Sequence, residues 1–210
     1  MSYSVKEIYY TLQGEGFHAG RAAVFLRFAG CNLWSGREED RSKAICQFCD
    51  TDFFGTDGPN GGKYESADAL ADAVTGLWPG DGPPFVVCTG GEPLLQLDDG
   101  LLFALQDRAC EVAVETNGTV PLPGTRPDWI TVSPKARTTL KITGGDELKL
   151  VYPQPDALPE KFEGLDFSHF FLQPMDGPHL AENTRLAVDY CKKHPEWQLS
   201  IQTHKIVGIP

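Results

Sequence analysis

The sequence has 210 residues, 41% of them apolar, which is enough for one substantial core but too short for two ordinary domains, so we expect a single domain over residues 1–210. The 18 basic and 29 acidic side chains give a formal net charge of −11, which leaves no basic surface for a phosphate backbone and argues against a nucleic-acid partner. The first residues lack the apolar run of a signal peptide, and no stretch approaches the roughly 20 apolar residues that span a bilayer, so we expect a cytoplasmic protein without membrane contact.

Short β-branched and aromatic runs alternate with a few helical stretches, a pattern typical of a mainly parallel sheet with crossover helices. Strands are predicted at Ala23–Phe28, Phe85–Cys88, Glu111–Glu115, Trp129–Val132, Glu147–Val151 and Phe170–Gln173. Helices are predicted at Ser66–Trp78, with Ser66 as N-cap, at Asp98–Arg108 and at Leu180–His194. Six parallel strands and three helices are too few for a complete eight-fold barrel. We therefore favour an α/β fold, a partial TIM-like barrel, over an open doubly wound sheet.

A polar, glycine-rich cluster follows nearly every predicted strand: GCN, TGGEP, TNGT, SPK and QPMD. In a parallel sheet these clusters meet at one edge, which is where βα folds place their chemistry. A glycine after any one strand often does no more than end it. Five such clusters together favour a functional site at this edge.

Three cysteines, Cys31, Cys46 and Cys49, lie in one loop with the spacing C-x14-C-x2-C. A structural zinc ion needs four ligands, and residues 31–52 contain no histidine and no fourth cysteine. A thioredoxin-like use of C-x2-C leaves Cys31 unexplained. Three thiolates on a four-iron cluster leave one iron open to a small molecule with amino and carboxylate groups. The other cysteines are expected to be core residues: Cys88, Cys110 and Cys191.

This loop resembles that of the radical S-adenosylmethionine superfamily, whose usual motif is C-x3-C-x-(aromatic)-C. Phe48 matches the aromatic position, and the longer first gap predicts an insertion at residues 32–45, which loop-closure entropy does not forbid. The run Gly90-Gly91-Glu92-Pro93 is similar to the motif that holds the methionine ammonium group. The resemblance implies S-adenosylmethionine contacts from Gln47, Phe48, Cys49, Asp50, Glu92, Ser133, Pro134, Lys135, Gln173, Pro174, Met175 and Asp176.

Within the superfamily the chain resembles the 7-carboxy-7-deazaguanine synthases over essentially its whole length. The matching segments are TLQGEG with Arg27 in the first strand, Cys49-Asp50-Thr51, Glu115-Thr116-Asn117-Gly118, Ser133-Pro134-Lys135, Lys149 and Gln202-Thr203-His204-Lys205. The resemblance implies a carbon–nitrogen lyase that converts 6-carboxy-5,6,7,8-tetrahydropterin to 7-carboxy-7-deazaguanine with loss of ammonia. This reaction lies on the route to queuosine and other 7-deazapurines.

The same resemblance implies three cofactors: a [4Fe–4S] cluster on the three cysteines, S-adenosylmethionine, and Mg²⁺ at Thr51. It also implies a flavodoxin-like electron donor and a homodimer, which would cover exposed sheet edges. A hydroxyl suits Mg²⁺, although Thr51 beside two aspartates would also fit a turn cap. Substrate contacts are expected from Leu12, Gln13, Gly14, Arg27, Gly90, His204 and the carboxylate of Pro210.

Arg27 stands inside the apolar run VFLRFAG, where a buried guanidinium needs either a ligand or an internal ion pair. The pterin edge needs amide-like partners, for which the backbone from Leu12 to Gly14 and the Gln13 side chain are candidates. Two alternatives stay open: a radical activase that acts on a protein partner, and a zinc-stabilised binding domain that recruits Cys88 as a fourth ligand.

Overall fold

In a computed structural model, which describes residues 2–210, nine strands form one sheet. The strands are β1 (Tyr3–Leu12), β2 (Ala22–Phe28), β3 (Gly62–Tyr64), β4 (Phe85–Gly90), β5 (Glu111–Thr116), β6 (Trp129–Val132), β7 (Gly144–Tyr152), β8 (Asp166–Pro174) and β9 (Trp197–Leu199). The α-helices are α1 (Ala67–Thr75), α2 (Asp99–Gln106), α3 (Leu180–Lys193) and α4 (Thr203–Val207). Short 3-10 helices lie at Glu38–Lys43, Pro93–Leu95 and Pro159–Lys161.

The strand order is β3-β1-β2-β4-β5-β6-β7-β8-β9, and every pair from β2 to β9 in this order is parallel. The parallel strands follow one another without the reversal of order that defines a doubly wound sheet. The two ends of the sheet, β3 and β9, are not paired with each other, so the sheet is unclosed and the predicted partial barrel is confirmed. All six predicted strands and all three predicted helices are present, and the Ser66 hydroxyl accepts a hydrogen bond from the Ala69 amide as the N-cap of α1.

Four elements were not predicted. The longest, β1, pairs antiparallel with both β2 and β3, and its register shifts between Val5 and Glu7. This irregularity and the pair Lys6-Glu7 break the alternation of apolar and polar residues that identifies a strand. The others, β3, β9 and α4, have three to five residues and carry too little periodicity to be recognised. Within residues 2–210 no helix combines the length and apolar character needed to cross a membrane.

The two faces of the sheet differ in chemistry. Val24, Leu26 and Leu148 point to one face, where they pack with residues of α1, α2 and α3 in the main core. Because side chains alternate along a strand, Arg27 and Lys149 point to the opposite, inner face. Cys88 and Cys110 lie in the main core, as predicted, and Cys191 packs against it. A fully buried Cys88 on the helix face cannot join the three loop cysteines, so the proposed fourth zinc ligand was wrong.

Candidate functional site

The carboxyl ends of the parallel strands surround a cavity of about 330 Å³. The loops after these strands and the C-terminal segment line it, as the polar clusters of the sequence predicted. All residues expected to contact substrate lie on its wall: Leu12, Gln13, Gly14, Arg27, Gly90, His204 and Pro210. The three loop cysteines and Thr51 lie on the same wall. The cavity therefore brings the expected cluster ligands and the expected substrate residues together.

Most of the residues expected to contact S-adenosylmethionine also line the cavity: Phe48, Cys49, Asp50, Ser133, Lys135, Gln173, Met175 and Asp176. Three others do not. The Gln47 amide donates to the Ser42 carbonyl at 3.0 Å, and the Pro134 carbonyl accepts from Gln154 at 3.3 Å. Pro174 is buried at the end of β8 beside Tyr152.

Glu92 also lies outside the lining, because it is fully buried behind the cavity wall. Its carboxylate accepts hydrogen bonds from the Leu94 amide at 3.1 Å, the Thr116 hydroxyl at 2.7 Å and the Asn117 amide at 2.8 Å. Burial raises the pKa of Glu92 although these donors oppose it. The carboxylate thus fixes the Gly90–Pro93 turn to the end of β5, and its expected contact with the methionine ammonium group stays a prediction.

The donor set of the cysteine loop suits a multi-iron cluster better than a single ion. Three ligand atoms of a single metal ion lie close together, and among residues 2–210 only Glu163, His194 and Glu196 bring three potential ligand atoms within 4.8 Å of one another. The three loop cysteines do not meet this criterion. The sulfurs of Cys31, Cys46 and Cys49 are spread more widely than ligands of one zinc ion would be. This spread, with no fourth cysteine on the wall, weakens the zinc alternative.

The three thiols differ in how readily they ionise. The neighbouring Cys46 thiol lowers the pKa of Cys49 to about 6 against the opposing effect of burial, whereas burial raises the pKa of Cys31, and the Cys49 thiol together with burial raises that of Cys46. The Leu33 amide donates to the Cys31 sulfur at 3.4 Å. Lys135 is half-buried nearby, and its ammonium donates to the Ser133 carbonyl at 2.7 Å and hydroxyl at 2.6 Å. Within residues 2–210 no carboxylate forms a salt bridge with Lys135, so an anionic cluster would supply its missing counter-charge.

The predicted insertion at residues 32–45 folds against the cysteines. Its Arg41 guanidinium lies 4.0 Å from the ring centroid of Trp34 and donates to the carbonyls of Gln47 at 2.9 Å and Cys49 at 3.0 Å. Leu33 and Trp34 are buried. The insertion therefore holds the Cys46–Cys49 turn in place through Arg41, while its Leu33 and Trp34 form part of the cavity wall.

Arg27 reaches the cavity wall and is also paired inside the chain. Its Nε donates to Glu7 Oε1 at 2.8 Å, and its Nη2 donates to the Tyr9 hydroxyl at 2.8 Å. Arg27 therefore forms the internal ion pair that its buried position predicted, and its place on the cavity wall is also compatible with a contact to a ligand. Glu7 and Tyr9 line the cavity but were not predicted, because β1 itself was not recognised.

A network of buried charges lies between the inner sheet face and the cavity. The Lys149 ammonium donates to Glu15 Oε2 at 2.6 Å and lies 3.4 Å from Glu115 Oε1. Burial alone would lower the pKa of Lys149, but Glu115, Glu15 and Glu147 outweigh it and raise that pKa. Glu15 and Glu115 were not among the predicted site residues. A charged residue at the end of the apolar strand EVAVET was the available signal for Glu115.

The side-chain amide of Gln13 is used within this network. Its Nε2 donates to Glu115 Oε1 at 3.0 Å, and its Oε1 accepts from the Glu15 backbone amide at 3.0 Å. Its backbone amide donates to the Arg21 carbonyl at 2.8 Å, and its carbonyl accepts from Gly20 at 2.7 Å. Gln13 therefore holds the Glu115 carboxylate and the Glu15 backbone, and its expected contact with the pterin edge stays a prediction.

Glu147 lies on the inner face of β7 and is only 3% exposed. Its Oε2 accepts a hydrogen bond from the Phe17 amide at 3.1 Å. Burial raises the pKa of Glu147 to about 7, Lys149 opposes this rise, and Glu115 and Glu15 add to it. Gly16 has φ +65°, and a Cβ there would lie 2.1 Å from Glu147 Oε1.

We expect Glu147→Gln to change the pH dependence of stability. The pKa is near 7 in the folded chain and 4.5 ordinarily, so between these values the unfolded chain ionises the carboxyl and the folded chain does not. The unfolded state then binds fewer protons, and stability falls as pH rises, by at most about 3 kcal/mol above pH 7.

Thermal unfolding should therefore give similar midpoints for the two proteins at pH 5 and a higher midpoint for Glu147→Gln at pH 8. The groups that face Glu147 are Lys149, Glu15, Glu115 and, across the strand pair, His169. The idea fails if the midpoint difference is the same at both pH values.

No family model matches the chain. Three curated relatives named 7-carboxy-7-deazaguanine synthase align with it over their full length and its own: those of Caulobacter vibrioides (62% identical over 212 residues), Burkholderia multivorans (60% over 211) and Nitratidesulfovibrio vulgaris (56% over 217). Among solved structures, the crystal structure of QueE from Escherichia coli matches with a TM-score of 0.73 and 28% identity, covering 97% of this chain and 95% of that one. The chain therefore belongs to the 7-carboxy-7-deazaguanine synthase family.

Proposed function

We propose that this chain is a radical S-adenosylmethionine carbon–nitrogen lyase that converts 6-carboxy-5,6,7,8-tetrahydropterin to 7-carboxy-7-deazaguanine with loss of ammonia, in the biosynthesis of queuosine and related 7-deazapurines. One observation carries the proposal: three cysteines without a fourth protein ligand share a single cavity with a buried set of polar and charged side chains. The full-length relatives named for this activity support the choice of reaction.

Cys31, Cys46 and Cys49 would hold a [4Fe–4S] cluster with one iron left for S-adenosylmethionine, and Thr51 would contribute to a Mg²⁺ site. When reduced, the cluster supplies the electron that cleaves S-adenosylmethionine to the radical that abstracts the substrate's C6 hydrogen. Side chains of the protein itself position and neutralise the groups around the cluster. Lys135 balances negative charge at the cysteine loop, and Glu92 holds the glycine turn against which S-adenosylmethionine would lie.

The substrate's ring N–H and amino groups need acceptors. The Gln13 amide is already hydrogen-bonded at both ends, and the Gly14 carbonyl accepts from Thr203. Each carboxylate oxygen can accept more than one hydrogen bond, so Glu15 remains an anionic acceptor on the wall although its two oxygens already accept from Lys149 and Gln202. Glu115 is a second acceptor, and its Oε2 has the Thr89 hydroxyl at 3.5 Å. We therefore assign the donor edge of the pterin to these two carboxylates, with Lys149 holding them in place. Arg27 and Mg²⁺ are the cations for the substrate carboxylate.

The test is conversion of the carboxytetrahydropterin by anaerobically reconstituted protein, with S-adenosylmethionine and a reductant. We expect 7-carboxy-7-deazaguanine from the unaltered chain and none from Cys31→Ala, which should also lose the cluster absorbance. Cys191→Ala, which lies outside the cavity, is the matched control and should keep both. Failure to convert the pterin with a fully loaded cluster would reject the substrate while leaving the cofactor assignment in place.

Three further proposals concern the surroundings of the enzyme. A flavodoxin-like protein would donate the electron, the chain would form a homodimer, and it would act in the cytoplasm. The short edge strands β3 and β9 leave the sheet open at both ends, which supports association between copies. Light scattering that gives the mass of a single chain at micromolar concentration would contradict the dimer.

A further inference from the structure

Lys205 on α4 connects two loops on the side of the cavity that is expected to hold S-adenosylmethionine. Its ammonium donates to Asp50 Oδ2 at 2.5 Å and to Asp176 Oδ2 at 2.6 Å. Asp50 directly follows Cys49 in the cysteine loop, and Asp176 lies just after β8. The three side chains are between 35% and 41% exposed, so they stand where the cavity meets solvent.

The same segment is attached to the substrate side of the cavity. The amide and hydroxyl of Thr203 both donate to the Gly14 carbonyl at 2.9 Å. The Gln202 amide donates to Glu15 Oε1 at 2.9 Å and to Asp50 Oδ2 at 3.1 Å. Residues 202–210 thus span the cavity from TLQGEG to the cysteine loop.

The Gly14 backbone closely approaches the ring of His204, the residue before Lys205. A Cβ on Gly14 would lie 2.1 Å from Nδ1 of His204, so the missing side chain of Gly14 makes room for this ring. His204 and Lys205 are adjacent on α4, which has only five residues and too few internal hydrogen bonds to hold its own place. Anchors outside the helix must therefore set the position of His204.

Lys205 also separates like charges. Asp50 and Asp176 come from different loops, and both lie within 2.6 Å of one ammonium group. Without that cation the two carboxylates would repel each other at short range. An isolated ion pair at a surface contributes little, but one cation shared by two carboxylates joins three segments of the chain.

We propose that Lys205 is a positioning residue that closes the segment 202–210 over the cavity. It ties the loops expected to contact S-adenosylmethionine to His204 on the substrate side, so binding of each ligand favours the arrangement that the other needs. The identity of the two ligands rests on the proposed function. The closure itself rests on the contacts of Lys205, Gln202 and Thr203.

The first test measures hydrogen exchange of backbone amides in the cluster-loaded protein without pterin. We expect Lys205→Met to speed exchange in residues 202–210 at least tenfold, and Lys205→Arg to restore most of the protection. Lys193→Met, an exposed lysine in the last turn of α3, is the matched control and should leave exchange unchanged. Unaltered exchange in Lys205→Met would overturn the closure, whatever the substrate proves to be.

The second test separates positioning from general damage. In turnover assays, Lys205→Met should raise the apparent KM for both the pterin and S-adenosylmethionine about tenfold, while kcat at saturation changes less than threefold. Asp176→Asn should raise both constants in the same direction, and combining it with Lys205→Met should add little because the two residues act together. A loss of kcat in Lys205→Met with unchanged KM values would contradict the proposal. Full additivity of the effects of Lys205→Met and Asp176→Asn would contradict it as well. If the unaltered chain does not convert the pterin, the exchange experiment still decides.

Discussion

Lys149→Met should abolish turnover and lower the thermal unfolding midpoint by roughly 10 °C. Among residues 2–210, Lys149 is the one cation that forms salt bridges with Glu15 and Glu115, and it also faces Glu147. Its loss therefore leaves one buried and two half-buried carboxyl groups without their counter-charge. Breaking a buried pair from one side costs about 3–5 kcal/mol, and in a chain of this size each kcal/mol shifts the midpoint by about 2–4 °C. The carboxylates would take up protons or move apart, and either response removes the proposed acceptors for the pterin.

The controls for this variant separate charge from side-chain loss. Lys192→Met, at an exposed position in α3, should leave both the midpoint and turnover unchanged. Adding Glu15→Gln to Lys149→Met should recover part of the midpoint, because the loss of one carboxylate relieves the imbalance, but should not recover turnover. A Lys149→Met protein with an unchanged midpoint would show that the network carries less charge than we infer.

Gly91→Ala should remove most of the cluster and reduce turnover at least a hundredfold. An alanine Cβ at this position would lie 2.2 Å from the Gly30 carbonyl oxygen and 2.6 Å from the Cys31 Cβ. Both neighbours belong to the backbone and side chain that present Cys31, the proposed first cluster ligand, so Cys31 would have to move away from its position. A displacement of about 1 Å is enough to impair a site that depends on fixed geometry.

Iron and sulfide content after anaerobic reconstitution, with the cluster absorbance, measures this effect directly. Gly82→Ala is the matched control, since no heavy atom lies within 4 Å of the Cβ it would add. It should bind a full complement of iron and turn over normally. The prediction is wrong if Gly91→Ala also carries full iron and its turnover stays within threefold of the unaltered chain.

The exposed trio Glu163, His194 and Glu196 invites a different interpretation as a metal site. Its members already have partners: Trp197 and Tyr190 donate to Glu163, and the His194 ring stacks on Tyr190 with centroids 4.0 Å apart. The trio therefore stabilises the end of α3 without an ion.

The alternative of a radical activase that acts on a protein partner gains no support, because the full-length relatives are named for the deazaguanine reaction.

Local patterns in the chain were enough to predict the elements that later positioned the site. Uninterrupted apolar runs such as FVVC specified the buried parallel strands, and the clusters after them specified the edge where the cavity forms. The spacing of Cys31, Cys46 and Cys49 indicated an open iron without knowledge of the fold. These signals are local, because each depends on residues close together in the chain.

Glu92 and Lys149 show where the sequence alone was not enough. Glu92 stands in a motif expected to face the ligand, yet three hydrogen bonds from β5 and its own turn hold it behind the wall. Lys149 stands in an ordinary strand, yet it neutralises carboxylates that lie 34 and 134 positions away in the chain. Partners so distant in sequence leave no periodicity or spacing by which to pair them.

The sequence by itself determined the parallel strands and the edge at which their loops meet, and its cysteine spacing predicted the cluster ligands that this edge brings together. Only the tertiary structure decided which polar groups remain available to a ligand. A buried donor or acceptor forms its hydrogen bonds with the groups that folding brings near, and Gln13 and Glu92 both use groups that lie far from them in the chain. The half-exposed Lys205 does the same with Asp50. The availability of a side chain for chemistry is therefore a property of its neighbours in space.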